Sequence, residues 1–170
     1  DQRVLDTWSQ VKAIDLVISL DATGAACELI RWPAKWEQIA ANIAQFFELR
    51  TQMPHLKIGF ISCASNYNLF ELADVIDFVR SHDPDLTVHF QVNHKPYFAP
   101  ALIPSEMVKP VMAKLSAYSE LTNLLPTVNA RLDDAHYSRE MITYHRVMNE
   151  MQTRRGNDWR STLKIGKYMS

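Results

Sequence analysis

The sequence predicts an α/β fold in which parallel strands alternate with helices. Three short runs rich in β-branched and other apolar residues have the length of buried strands. Between and after them lie segments whose apolar residues recur at the 3.6-residue period of a helix. Strands joined by helices of this length are typical of βαβ units with right-handed crossovers. With 170 residues and 47% hydrophobic content, the chain has the size and composition of one domain with a real core.

The first part of the chain contains one strand between two helical segments. Residues 4–13 place Val, Leu and Trp side chains on one helical face. Residues 14–20 form a β-branched run typical of a strand covered on both faces. A loop of small residues follows this strand. The next helix is predicted for residues 35–51, with Pro33 marking its start.

The rest of the chain repeats the alternation and then changes to helix alone. Two more strands are predicted at residues 55–63 and 86–93. Helices with one apolar stripe are predicted at residues 68–82, 105–120 and 136–156. The stripe of the last helix is rich in Met and Tyr, which we interpret as core packing. Gly156 is predicted to end that helix.

Composition argues against several classes of function. Lys and Arg number 18 against 19 Asp and Glu, so no net field attracts nucleic acid or an anionic membrane. No apolar run is long enough to span a bilayer. The two cysteines, Cys27 and Cys63, have neither zinc-ligand spacing nor the number that a disulfide framework needs. We therefore expect a cytoplasmic protein without a structural metal.

Small and polar residues follow each predicted strand at its carboxyl end, the side of a parallel βα fold that carries binding sites. They are Ser19, Asp21, Ser62, Cys63, Ser65, Asn66, Gln91, Asn93 and His94. These side chains are expected to line one polar cleft. The alternative is that they only cap helices and shape turns, as Ser, Asp and Asn routinely do.

A hydrolase or a histidine metal site is less favoured. Neither Ser19 nor Ser65 lies in the Gly-x-Ser-x-Gly turn of a serine nucleophile. His89 lies within the third predicted strand and His94 just past it, on opposite faces by the two-residue period. We therefore assign no catalytic residue and no metal ligand from the sequence.

Four longer segments resemble radical S-adenosylmethionine enzymes. Residues 17–43 resemble their fifth-strand segment, in which a strand ending Ser-[Leu/Ile]-Asp-[Gly/Ala] precedes Tyr-Glu-x-[Ile/Phe]-Arg and an Asn-Ile helix. Residues 55–81 are similar to the sixth strand, which Asn follows. Residues 86–107 resemble the seventh strand and the Pro-Tyr-x-x-Pro-x-x-Leu-Pro continuation of members with a twitch-type C-terminal extension. Residues 150–161 resemble the Arg-Gly-x-x-Trp ending of such proteins.

The resemblance implies a role for particular residues. Ser19 and Arg31 match the residues that bind the methionyl carboxylate of S-adenosylmethionine, and Asn66 matches a position beside the ribose. Asp21 and Glu28 match positions that would orient the loop and Arg31. The guanidinium group suits a carboxylate because it donates two parallel charge-assisted hydrogen bonds. A plain alternative for Arg31 is a surface ion pair with Glu28.

Other family motifs have no counterpart in this chain. It contains no Cys-x-x-x-Cys-x-x-Cys, the motif that holds the [4Fe-4S] cluster, and no Gly-Gly-Glu or Thr-Asn-Gly element. The resemblance therefore implies the C-terminal half of such an enzyme, with the cluster only in the missing half and no cofactor bound to this chain alone. The implied fold is half of a TIM-like βα barrel at residues 1–120, followed by a helical extension at residues 121–170.

Half a barrel would expose one sheet face and an unpaired edge strand, and both features promote association. We therefore expect a homodimer or dependence on an N-terminal partner. Two functions stay open at this point. One is an enzyme fragment that retains part of the S-adenosylmethionine cleft but is inactive alone. The other is a non-catalytic βα binding or assembly module that dimerises through its exposed sheet.

Overall fold

The computed structural model describes residues 2–130 and 132–168 and has an α/β fold with an open, parallel sheet. Its strands are β1 (Ile14–Ser19), β2 (Leu56–Ala64) and β3 (Val88–Val92), in the spatial order β1-β2-β3. The predicted positions of all three strands and their parallel pairing are confirmed.

Both crossovers run in the same direction along the sheet. Right-handed crossovers of this kind place their helices on one face, because each unit is a copy of the one before it. The burial of β2 agrees, since its residues alternate between buried and more exposed along the whole strand. Ile58 and Phe60 lie on the covered face, whereas Lys57 and Gly59 lie on the other. One face of the sheet therefore carries the core.

Eight α-helices occur in the described ranges. They are α1 (Gln2–Ser9), α2 (Gly24–Ile30), α3 (Trp36–Gln52), α4 (Leu72–His82), α5 (Ser105–Leu115), α6 (Leu125–Asn129), α7 (Asp134–Arg155) and α8 (Trp159–Thr162). Short 3₁₀ turns lie at Pro96–Phe98, Ser119–Leu124 and Gly166–Tyr168. The helix predictions for α3, α4 and α7 are confirmed, and Gly156 ends α7 with a left-handed φ of 73°.

The apolar stripes of the long helices face the core as predicted. In α3, Ile43 and Phe47 are buried, and in α7 Tyr144 and Met148 are buried. The stripe of α4 is fully buried and consists of Leu72, Val75, Ile76 and Val79. These helices therefore owe their positions to periodicity that the sequence already displays.

Several predicted boundaries are wrong. The loop of small residues after β1 is instead the helix α2, because its Ala residues favour a helix once Gly24 has turned the chain at a φ of 57°. The helix predicted for residues 4–13 ends at Ser9. The helix predicted for residues 105–120 ends at Leu115 and gives way to a 3₁₀ turn.

The prediction that β1 is covered on both faces is also wrong. Its residues alternate between half-buried and exposed, and Val17 is 62% exposed. Asp15, Val17 and Ser19 share the uncovered face with Lys57 and Gly59 of β2, their neighbours in register. A β-branched run does not distinguish an edge strand from a central one, because both contain the same residue types.

The C-terminal segments pack on the same core as the sheet. Trp159, Leu163 and Ile165 are buried among residues of the earlier helices. The buried Glu71 at the start of α4 accepts a hydrogen bond from the backbone N–H of Lys164 at 2.8 Å. Residues 121–168, as far as they are described, thus lie against the βα units. In the described ranges, no helix combines the length and apolar character that crossing a membrane requires.

Candidate functional site: the carboxyl edge of the sheet

Ser19 and Arg31 meet at the carboxyl edge of the sheet. Ser19 is the last residue of β1, and Arg31 directly follows the last residue of α2. Arg31 Nη2 donates to Ser19 Oγ at 2.6 Å. The helix α2 turns the chain back over the edge and so brings together two residues that are twelve positions apart. The predicted pairing of these two residues at one site is therefore present.

Asp21 holds the guanidinium group in place. Its Oδ2 accepts hydrogen bonds from Arg31 Nε at 3.1 Å and from Arg31 Nη2 at 2.7 Å. Its Oδ1 accepts from the backbone N–H of Cys63 at 2.8 Å. Asp21 is 8% exposed, so water screens its side of this charge-assisted pair less than the more exposed Arg31 side. The predicted orienting role of Asp21 toward Arg31 agrees with these contacts.

Glu28 does not pair with Arg31. Its Oε1 accepts from the backbone N–H of Trp36 at 3.1 Å, and its Oε2 accepts from Lys35 Nζ at 3.1 Å. The hydrogen bond from Trp36 and the adjacent Lys35 lower the pKa of Glu28. Both the predicted role of Glu28 toward Arg31 and the alternative of a surface ion pair between them are wrong, because Glu28 instead binds the start of α3.

Asn68 joins the ends of β1 and β2, although no motif in the sequence points to it. It is fully buried, and its Nδ2 donates to the backbone carbonyls of Asp21 at 2.8 Å and Cys63 at 3.0 Å. Its Oδ1 accepts from the backbone N–H of Ser65 at 2.8 Å. The only sequence signal was a second Asn three residues beyond Ser65, in a stretch already expected to turn.

A further contact extends this network to β3. Asn93 follows β3, and its Nδ2 donates to Ser65 Oγ at 2.9 Å. The Ser65 hydroxyl also interacts with the phenol of Tyr67, whose pKa is raised by burial. The three strand ends are therefore linked by side chains, as expected for one polar edge.

Asn66 lies in a different environment from Ser19 and Arg31. Its side chain is fully buried. The side-chain Nδ2 donates to the backbone carbonyl of Tyr97 at 3.2 Å, and the backbone N–H of Asn66 donates to the backbone carbonyl of Phe98 at 3.0 Å. No hydrogen-bond partner for its Oδ1 lies in residues 2–130 or 132–168. Asn66 thus fastens the turn after β3, and a buried acceptor is left unused.

The other predicted edge residues are divided between the two faces of the sheet. Ser62 is buried on the covered face, away from the edge cluster on the opposite face. Gln91 is exposed beside Cys63, its register partner, on the uncovered face. His94 makes no hydrogen bond within the described ranges. The predicted single cleft therefore contains only part of the predicted set.

The two thiols are held in their protonated form. Burial is the main cause that raises the pKa of Cys27 and of Cys63. Cys27 lies buried in α2 rather than in the predicted loop, and Cys63 is half-buried near the end of β2. A neutral thiol is a poor nucleophile and a poor metal ligand. In the part of the chain that the structure describes, no three His, Cys, Asp or Glu side chains are grouped to hold a metal ion.

This arrangement can bind an anion. The Arg31 side chain is 41% exposed, and no acceptor in residues 2–130 or 132–168 occupies its Nη1. The hydroxyl of Ser19 accepts from Arg31, so its own hydrogen is free to donate to a ligand. Nη1 and the Ser19 hydroxyl together offer adjacent donors to one carboxylate. No family model, curated protein or solved structure matches this chain.

Proposed function

We propose that the chain is the C-terminal half of a radical S-adenosylmethionine enzyme, retains part of the S-adenosylmethionine cleft, and is inactive alone. Residues 1–120 are the half-barrel of this proposal and residues 121–170 its helical extension. The [4Fe-4S] cluster belongs to the other half, and the protein works in the cytoplasm. The observation that carries the proposal is the contact between Ser19 and Arg31.

The donors at this contact suit the methionyl carboxylate. Arg31 keeps Nη1 for a ligand while Asp21 fixes its plane, so little side-chain entropy is lost on binding. Ser19 adds a neutral donor at the same position. S-adenosylmethionine supplies the radical chemistry only when a reduced cluster cleaves it, and these residues only hold its amino-acid end.

The fold is compatible with half a barrel. Three parallel strands in sequential order, with crossover helices on one face, form the repeating unit of a βα barrel. The uncovered face would then line the barrel interior. Asn66 fits this proposal less directly, because its side chain is fully buried and its Oδ1 is closed to a ribose hydroxyl in this structure.

Arg31→Ala is expected to weaken S-adenosylmethionine binding at least tenfold, the effect of losing one charge-assisted contact of about 1.4 kcal/mol. The measurement is isothermal titration calorimetry of both proteins with S-adenosylmethionine. Arg50→Ala is the matched control, because Arg50 also pairs with an Asp at 2.8 Å but lies away from this edge. Its affinity for S-adenosylmethionine should equal that of the wild type.

Decarboxylated S-adenosylmethionine lacks the methionyl carboxylate, so it distinguishes a loss of carboxylate recognition from a general loss of affinity. The wild type should bind it more weakly than S-adenosylmethionine, and Arg31→Ala should bind both compounds equally. No binding by the wild type, or an equal loss for both compounds in the variant, would refute the proposed site.

A second candidate function is a non-catalytic module that dimerises through the uncovered sheet face. A specific observation favours it: an open depression of about 600 Å³ lies along this face, around the exposed Val17. Asp15 and Lys57 lie side by side in register at one end of it. In a two-fold dimer, each copy could offer its Asp15 to the partner's Lys57, so the face complements itself in charge.

Val17→Lys tests this dimer. The charge would be buried in the interface, so we expect the dimer dissociation constant to rise at least tenfold. Light scattering of size-separated protein over a concentration series gives the measurement. Ile142→Lys, at an exposed apolar position on α7, is the control and should leave the dimer unchanged. A wild type that is monomeric throughout would exclude this second function.

A further inference from the structure

An apolar cavity of about 250 Å³ lies between α2, the turn after β3, and the last two turns of α7. Its walls include Leu29 and Ile30 of α2, Phe98 of the turn, and Met148 and Met151 of α7. Leu29 and Met148 are almost fully buried, so these walls belong to the core. The volume is smaller than that of a pocket for a drug-sized ligand, at roughly 300–1,000 Å³. The cavity suits a short aliphatic group.

One charged side chain lines this cavity. Arg155, the last residue of α7, is half-buried, and its Nη1 donates to the backbone carbonyl of Leu29 at 2.7 Å. Within residues 2–130 and 132–168, no Asp or Glu pairs with it. The preceding residue, Arg154, is exposed and pairs with Glu150 on the same helix.

Because no described Asp or Glu pairs with Arg155, an anion is the class of ligand that this cavity favours. A guanidinium group at an apolar wall is stabilised by an anion, and its planar donors match a carboxylate best. Within the part of the chain that the structure describes, one of its N–H groups is used, for the Leu29 carbonyl. Tyr67 lines the same cavity, and burial raises the pKa of its phenol, which therefore stays protonated and uncharged. Among residues 2–130 and 132–168, the lining of this cavity thus has one cation, Arg155, and no anion beside it.

We propose that this cavity binds a short aliphatic monocarboxylate, with the carboxylate on Arg155 and the alkyl chain among Leu29, Met148 and Met151. Neither Ser19 nor Arg31 belongs to the lining of this cavity. The site does not rest on the proposed function, because neither its cavity nor its cation belongs to that cleft.

Hexanoate titrated into the full chain tests the proposal, with binding followed by calorimetry and by methyl NMR shifts of Met148 and Met151. Arg155→Gln should weaken hexanoate binding at least tenfold, because it removes the charge-assisted contact but keeps an amide to donate toward Leu29. Arg154→Gln is the matched control at the neighbouring position and should bind like the wild type. Hexan-1-ol should bind the wild type and Arg155→Gln equally.

Two further measurements do not depend on Arg155→Gln folding. Affinity of the wild type should rise about fourfold for each methylene from butanoate to hexanoate, as an apolar cavity requires. Met151→Trp, at a half-buried wall position, should fill the cavity and abolish binding of both hexanoate and hexan-1-ol. Absence of saturable hexanoate binding to the wild type, or binding that is unaffected by Met151→Trp, would overturn the proposal.

Discussion

Replacing Asn68 by Ala is expected to lower the free energy of unfolding by about 3–5 kcal/mol. The side chain is fully buried and makes three hydrogen bonds, all to backbone groups. Its removal leaves the carbonyls of Asp21 and Cys63 and the N–H of Ser65 without partners. Each such buried group costs about 1–3 kcal/mol, and partial access of water limits the sum. The ends of β1 and β2 would then still be held together by the hydrogen bond from the Cys63 N–H to Asp21 Oδ1.

Urea denaturation followed by tryptophan fluorescence measures this loss. Asn42→Ala, on the exposed face of α3, is the control and should stay within about 0.5 kcal/mol of the wild type. Asn68→Asp keeps the shape but loses both donors, and should be at least as destabilising as Asn68→Ala. A loss below about 1 kcal/mol in Asn68→Ala would contradict this account of the edge.

Trp159→Ala is expected to cost a similar amount, about 3–5 kcal/mol, because it removes the largest fully buried side chain in the described part of the chain. The indole packs edge-on against Tyr144 at 5.5 Å between ring centroids. Its Nε1 donates to Asn149 Oδ1 at 3.3 Å, and the guanidinium of Arg160 lies 4.3 Å from the ring centroid. The cavity left behind cannot collapse around so many fixed neighbours.

Trp32→Ala provides the comparison. Because Trp32 is 52% exposed, its replacement should lower the free energy of unfolding by less than about 1 kcal/mol. Thermal unfolding of the two variants should therefore separate by several degrees in Tm. Equal Tm values would show that the C-terminal segment contributes little to the fold. That result would contradict the single core in which Trp159 lies.

Among the helices, those that the sequence predicts correctly are the ones with a long apolar stripe. The stripes of α3, α4 and α7 follow the helical period over many residues, so their buried faces can be read directly. The helix α2 has only seven residues, too few for a stripe to stand out from a loop of small residues. The exposure of Val17 depends on the absence of a neighbouring layer, which no local pattern records.

The sequence likewise predicted some residues of the candidate site and not others. Ser19 and Arg31 were predicted from positions in a motif, and the fold brings them together. The partner of Arg31 was harder to assign, because Asp21 and Glu28 are both near in sequence and only the orientation of α2 decides between them. Asn68 could not be identified, since its three partners are backbone groups that carry no residue-type signal.

Helix α2 has Arg31 at its end, and on its side Leu29 and Ile30, which line the apolar cavity. Because the two sites share this one short helix, a ligand that shifted α2 at the cavity would also shift Arg31. Thermodynamic linkage makes any coupling of affinity between the two sites reciprocal. Any factor by which an anion at Arg31 changes affinity for a hydrophobic acid must also apply in the opposite direction.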